Sequence, residues 1–194
     1  MQIAPGIEAA DWKALKLDDA ASNDWKMAVD ILERRIVQRF IEPTDHLIRA
    51  EDSKPAAERR FGFTILAIDC LLVETLGAFL DGLQDTRGKS EAIFCRFLTT
   101  RPSFAAEFTA DAAKQFYKEF RCGILHQAEI GGDSRVWSVG PLIRVDGGKI
   151  VVNRNKFHET LKTEFQNYLS EIRNPANVQL RENFRKKMDF ISRS

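Results

Sequence analysis

Phe116-Tyr117-Lys118-Glu119-Phe120-Arg121-Cys122-Gly123-Ile124-Leu125-His126-Gln127 is the stretch that organises this chain. Phe116, Phe120 and Ile124 continue a series begun by Phe108 and Ala112, with one apolar residue every four. That period is an α-helix with one buried face. The spacing predicts a helix from Ser103 or Thr109 to Gln127, stopped by Gly131-Gly132. Its last turns carry Arg121 and His126, with four residues between them. Arginine is a permanent cation whose planar fork of donors suits a phosphate. Histidine can take and give a proton near neutral pH.

Outward from this stretch the chain keeps a helical period. Asn23 reads as an N-cap, followed by Trp25, Val29, Leu32, Ile36 and Phe40 up to Pro43. Asp45 to Ala50 continues at a different angle, and Glu51 to Glu58, with Pro55, reads as a polar connector. Arg60 to Leu83 is apolar on nearly all sides, which predicts a central helix packed on several neighbours. It is long enough to suggest a membrane span, but Asp69 and Glu74 inside it would be expensive in lipid. Asp69 needs a cation or a cleft, and either acid is a candidate neighbour of Arg121 and His126. Gly77 and Ala78 allow a close approach to that helix. Ser90 to Leu98 predicts a short helix.

Asp146-Gly147-Gly148 lies between β-branched runs, Leu142 to Val145 and Lys149 to Val152, and signals a hairpin near residues 135–153. Trp137, on the preceding run, either packs the hairpin onto the helices or stacks a base. Phe157, Leu161, Phe165, Leu169 and Ile172 give an amphipathic helix opened by Asn153 or Asn155, and Ala176 to Ile191 gives a last, basic one. The pattern alone is mainly α and bundle-like, a single domain over 1–194. Residues 1–22 form an N-terminal extension with Trp12, Leu15 and Leu17 as an anchor, and 175–194 a basic C-terminal helix.

Net charge is +1, so any nucleic-acid contact must use local patches. One is Arg34, Arg35 and Arg39. The other is Arg181, Arg185, Lys186 and Lys187, suited to sequence-independent RNA phosphate contacts or to a solvated face. Cys70, Cys95 and Cys122 are odd in number and scattered, which argues against a disulfide framework. With three histidines and no close Cys/His pair, no metal site or cofactor is expected. Reduced thiols and the lack of a signal-like N-terminus fit a cytoplasmic protein without membrane attachment. His46 and His158 read as surface or structural positions.

The block Phe120-Arg121-Cys122-Gly123-Ile124-Leu125-His126-Gln127 resembles the arginine–x4-to-6–histidine motif of the HEPN family. The resemblance implies an antiparallel bundle of four long helices plus accessory helices, with the hairpin as an insertion. It implies a metal-independent endoribonuclease, with toxin and defence-effector roles among those open to it. It also implies RNA as substrate, a homodimer with a composite site, and a protein regulator or antitoxin. Arg121 and His126 would be catalytic. The alternative is a non-catalytic HEPN-like module that binds RNA, a nucleotide or a protein partner. The chain departs from the family in having Cys122 where many active members carry a polar residue, since a thiol is a poor donor. It also has Ala128 where one subgroup carries a modifiable tyrosine.

On an ideal helix Arg121 and His126 sit roughly 140° apart, flanking a groove rather than touching. The small residues Cys122 and Gly123 are expected to admit a partner helix or a phosphate backbone near a twofold axis. His126, in the last turn, lies where the macrodipole favours a positive charge. Arg39 and His46 also fit the motif, with six residues between them. Pro43 is expected to break the helix there, so that pair serves as a decoy.

Overall fold

The computed structural model describes residues 1–193. The chain is mainly helical, with two small sheets. It opens with a short antiparallel pair, β1 (Gln2–Ala4) and β2 (Ile7–Glu8), which the sequence pattern did not signal. The short helix α1 (Ala9–Ala14) follows and buries Trp12. The next helix, α2 (Asn23–Ile36), is capped one residue earlier than expected: the Ser22 hydroxyl accepts the Trp25 N–H at 3.1 Å.

Pro43 does not end this helix. The chain widens into a π turn (Val37–Ile41) and continues as α3 (Glu42–Asp52), with Pro43 in the first turn of α3. Proline has no N–H and crowds the carbonyl four residues back, and a widened turn is one way to absorb both. Arg35 and Arg39 donate to the carbonyls of Ile3 and Gln2 and so pin β1 to this helix.

The expected polar connector contains a buried pivot. Glu51 is fully buried, its Oε1 accepts the N–H groups of Arg60 and Phe61, and its Oε2 pairs with Arg154 at 2.5 Å. Burial opposes its charge, but these donors hold the carboxyl below the usual range. The carboxylate therefore caps the start of α4 (Gly62–Asp81). This helix is apolar enough by composition to cross a membrane, yet most of it is buried inside the protein. Its neighbours are α3, α5 (Ser90–Thr100), α9 (Arg154–Arg173) and α10 (Val178–Ile191). Gly77 admits a side chain rather than a backbone: a Cβ there would lie 2.4 Å from Ile93 Cγ2.

The single turn α6 (Pro102–Ala105) leads to α7 (Ala110–Phe116), capped by Thr109. A second π turn (Tyr117–Cys122) joins α7 to α8 (Gly123–Gln127). The periodic phenylalanines behave as the pattern demands. Phe116 stacks on Phe120 at 4.6 Å and on Phe157 of α9 at 5.3 Å between centroids, and Phe94 of α5 joins from the other side. These rings are fully buried and anchor the motif helix to α5 and α9.

The hairpin forms from β4 (Ile143–Asp146) and β5 (Lys149–Asn153). A third strand, β3 (Arg135–Trp137), pairs with β5 in parallel, giving the order β3-β5-β4. Asn153 then caps α9 by accepting the N–H groups of Asn155 and Lys156.

Candidate functional site

Arg121 lies near the end of the second π turn, and His126 lies in α8. They touch: Arg121 Nη1 is 3.3 Å from His126 Nε2. The expected separation across a groove is therefore corrected. A π turn advances less per residue than an α-helix, and the long arginine side chain spans the remainder. A guanidinium can only donate, so Nε2 is the acceptor in this contact.

Two elements hold the arginine. Glu74 of α4 accepts from Arg121 Nε at 3.1 Å and Nη2 at 2.8 Å, both on Oε2. Its other oxygen accepts the hydroxyls of Thr86 and Ser90, the latter at 2.8 Å. Burial pushes the Glu74 carboxyl up, but the hydrogen bonds of Thr86, Ser90 and Arg121 outweigh it and hold the group below its usual range. The Tyr117 ring lies 5.4 Å from the guanidinium carbon. Burial is the main cause that pushes its phenol up to about 12, so the tyrosine is a neutral wall at working pH. The Arg121 side chain is 16% exposed, enough to be reached and too little to wander. His126 is exposed.

A cleft of about 340 Å³ opens beside this pair, lined among others by Leu71, Glu74, Thr86, Arg121, Leu125 and Lys187. Leu71 and Leu125 are 42% and 44% exposed, a high value for leucine. The cleft thus has an apolar lip and a charged floor. It offers a cation, Arg121, and a fixed carboxylate, Glu74, while His126 stands exposed beside it through its contact with Arg121.

Of the two acids singled out on α4, only Glu74 belongs here. Asp69 is fully buried and accepts from His158 Nδ1 at 2.7 Å, while His158 Nε2 is 3.3 Å from Asp45. Asp69 therefore finds a histidine rather than an arginine, and His158 proves to be a core residue. Cys122 is half-buried, and its thiol is free.

Gly123 is buried, and its small face is filled by the chain itself. A Cβ there would lie 2.5 Å from the Glu129 carbonyl oxygen. The space expected for a partner helix is taken by the return of the chain after α8. That return also satisfies the π turn, because Gly131 N–H donates to the Glu119 carbonyl at 3.1 Å. The Ser134 hydroxyl donates to the Glu119 carboxylate and accepts the Ile150 N–H, tying the turn to β5. The helix ends at Gln127, before Gly131-Gly132, with Ala128 in the left-handed region at φ 54°.

The four basic residues of α10 do not form one patch. Arg181 is buried, lies 3.7 Å over the Trp25 ring and donates to the Ala20 carbonyl at 2.7 Å. It packs α10 onto α2 and is not available to a phosphate. Arg185 lies 3.7 Å from Asp18, and Lys186 lies 3.7 Å from Glu182, both outside the cleft. Lys187 alone reaches it, with Nζ on the Gln84 carbonyl at 2.6 Å. The decoy pair behaves differently from the motif pair: Arg39 donates to Gln2 O, and His46 Nδ1 donates to Glu42 O at 2.7 Å.

Thr86, Ser90 and Tyr117 are site residues that the sequence did not mark. Their spacing carries no signature, since each becomes relevant only when the loop after α4 folds back over Glu74. No family model matches the chain, and no curated protein or solved structure matches it.

Proposed function

We propose that this protein is a metal-independent endoribonuclease of the HEPN type, with Arg121 and His126 as its catalytic residues. One observation carries the reading: the two side chains meet at 3.3 Å, with the arginine lining a cleft and clamped by Glu74. Arg121 turns its Nη1 donor from His126 Nε2 to the phosphate, and the freed Nε2 takes the proton of a ribose 2′-hydroxyl. The 2′-oxygen attacks the adjacent phosphorus, the bond from phosphorus to the 5′-oxygen breaks, and that oxygen leaves with a proton returned by the His126 imidazolium. Arg121 stabilises the charge that builds on the non-bridging oxygens. The products are a 2′,3′-cyclic phosphate and a 5′-hydroxyl. DNA lacks the attacking group and is not cut.

The reading includes a homodimer, in which Leu71 and Leu125 supply the apolar lip of a shared cleft, and action in the cytoplasm as a toxin or defence effector under a protein regulator. Incubating the purified protein with RNA in the presence of chelator, then assaying for cyclic-phosphate ends, tests the chemistry. Cleavage that requires added magnesium rejects it. A second reading, a non-catalytic module of the same kind, is favoured by a different observation. The Arg121 guanidinium already has a carboxylate partner, and Cys122 adds no strong donor beside it. RNA binding without cleavage, equal in wild type and His126→Ala, selects that reading.

A further inference from the structure

A second cavity, of about 340 Å³, lies at the other end of α4, between the start of that helix and β3. It falls within the roughly 300–1,000 Å³ range of small-molecule sites. Arg59, Gly62, Val136, Trp137, Val139 and Arg154 are among the residues that line it. Gly62 and Glu74 are twelve residues apart on one helix, which is about 18 Å along its axis. The cavity is therefore separate from the Arg121–His126 cleft.

Five features define its chemistry. Trp137 is 41% exposed and Val139 56% exposed, so β3 does not bury its tryptophan against the helices. Arg144 sits over the Trp137 ring at 5.4 Å, which makes the indole part of an aromatic–guanidinium stack. Arg59 rests on neutral acceptors, the carbonyls of Lys54 and Asp52 and the hydroxyl of Ser138, so its charge is not cancelled by a carboxylate. Arg154 is 3% exposed and its Nη2 pairs with Glu51, so it forms a fixed, charge-matched part of the wall. Gly62 keeps the floor open, because a Cβ there would come within 3.1 Å of Val136 Cγ1.

We infer that this cavity binds a nucleotide, with the base against Trp137 and the phosphate at Arg59. The base supplies a flat ring for the indole. The phosphate supplies the anion that Arg59 lacks. Neither group alone uses the whole site. The inference does not depend on the ribonuclease reading.

Indole fluorescence tests it directly, because Trp12 and Trp25 are buried and Trp137 is the exposed tryptophan. The full-length protein is titrated with each 5′-ribonucleoside monophosphate, with a tetraribonucleotide, with ribose 5-phosphate and with inorganic phosphate. At least one nucleotide is expected to quench the signal saturably. Arg59→Gln should weaken binding about tenfold, the loss of one charge-assisted contact of ~1.4 kcal/mol. Binding to Trp137→Leu, followed by calorimetry, should fall below detection, while Trp137→Phe retains part of it. Circular dichroism of each variant establishes that the fold is intact.

His126→Ala should bind the nucleotide as wild type does, which separates this cavity from the cleft. Binding of the monophosphate with weaker binding of the tetranucleotide identifies a free nucleotide as the ligand, and the reverse order identifies a strand. Ribose 5-phosphate or phosphate binding as tightly as the nucleotides overturns the inference. So does the absence of saturable binding, or binding unchanged in Trp137→Leu.

Discussion

Two helices of this chain contain a π turn with an arginine inside it and a histidine further along. In the first, Val37–Ile41, the cause is internal. Pro43 offers no N–H to the preceding turn, and the Thr44 hydroxyl takes the Phe40 carbonyl at 2.8 Å. In the second, Tyr117–Cys122, there is no proline. The Glu119 carbonyl instead leaves the helical ladder to accept Gly131 N–H from the returning chain. The position two residues after each arginine shows the same contrast. Ile41 fills the first with a buried side chain, whereas Gly123 leaves the second open to the Glu129 carbonyl. Arg39 and His46 each spend their donors on a backbone carbonyl. Arg121 and His126 reach each other and a carboxylate. A spacing motif is therefore not a site; the tertiary partner that turns the arginine toward the histidine makes it one.

The largest effect that tests this contrast is on cleavage. His126→Ala should lower the rate by ~10²–10⁴-fold, the usual contribution of general acid–base catalysis. Arg121→Lys should also be damaging, because lysine keeps the charge but loses the planar fork held by Glu74. Arg39→Ala and His46→Ala should leave the rate within about twofold, since neither side chain supplies a transition-state contact. Single-turnover kinetics on a defined RNA measure all four. If the decoy variants lose as much as the motif variants, the assignment is wrong.

The partner carboxylate gives the next effect. Glu74→Gln keeps the shape but removes the charge that orients Arg121. Charged hydrogen bonds are worth ~1.5–3 kcal/mol, so the rate should fall roughly ten- to a hundredfold. The pH dependence has a definite sign. The folded state holds Glu74 below its ordinary value, so its ionised form contributes stability above the unfolded carboxylate range. That contribution is lost as pH falls through the folded value. Wild type should therefore lose stability on the acid side more steeply than Glu74→Gln, as followed by denaturant melts across acidic pH. Parallel acid limbs in the two proteins would mean that the pair carries no linked proton. The decoy arginine rests on a peptide carbonyl and has no such limb.

The glycine contrast comes third. Gly123→Ala puts a methyl group 2.5 Å from a backbone oxygen. The return of the chain must shift, at a cost of ~1–3 kcal/mol typical of overpacking. Activity should fall with it, because the same return holds the π turn. Ile41→Val at the matching decoy position should cost only ~0.5–1.5 kcal/mol and spare activity. Equal activity losses in the two variants would mean that the chain return has no special role.

What could be read beforehand follows the range of the interactions. The motif helix, the Asp146-Gly147 hairpin and the central α4 were legible, because period and turn chemistry are local. So was the candidate pair itself. The contact between Arg121 and His126 was not, since an ideal helix separates them and the π turn depends on Gly131, far outside the window. Glu51 looked like part of a solvated connector, yet it caps α4 through Arg60 and Phe61 and pairs with Arg154, about a hundred residues away in sequence. Arg181 looked like a phosphate ligand because its neighbours in sequence are basic, but its neighbours in space are Trp25 and Ala20. β3 pairs in parallel with β5, the far strand of the hairpin, and such pairings have no adjacent turn to announce them.

The smallest effect is a change of sign at two alanines. Ala128 ends the motif helix at φ 54° and ψ 27°, a left-handed conformation that is strained for any residue with a Cβ. Its N–H still caps the helix by donating to the Ile124 carbonyl at 3.2 Å. Ala128→Gly keeps that backbone and removes the strain, but glycine gives the unfolded chain more freedom. The net is a stabilisation of about 0.5–1 kcal/mol, or ~1–4 °C in Tm for a chain of this size. Ala50, exposed in the last turns of α3, lies on the decoy helix where the backbone stays right-handed. The same substitution there should destabilise by about 0.5–1 kcal/mol, because glycine is the poorer helix former. Thermal melts of the two variants should therefore move in opposite directions from wild type. If Ala128→Gly melts lower, the left-handed turn at the end of the motif helix is not a source of strain. The chain return would then be held by Gly123 and Gly131 alone.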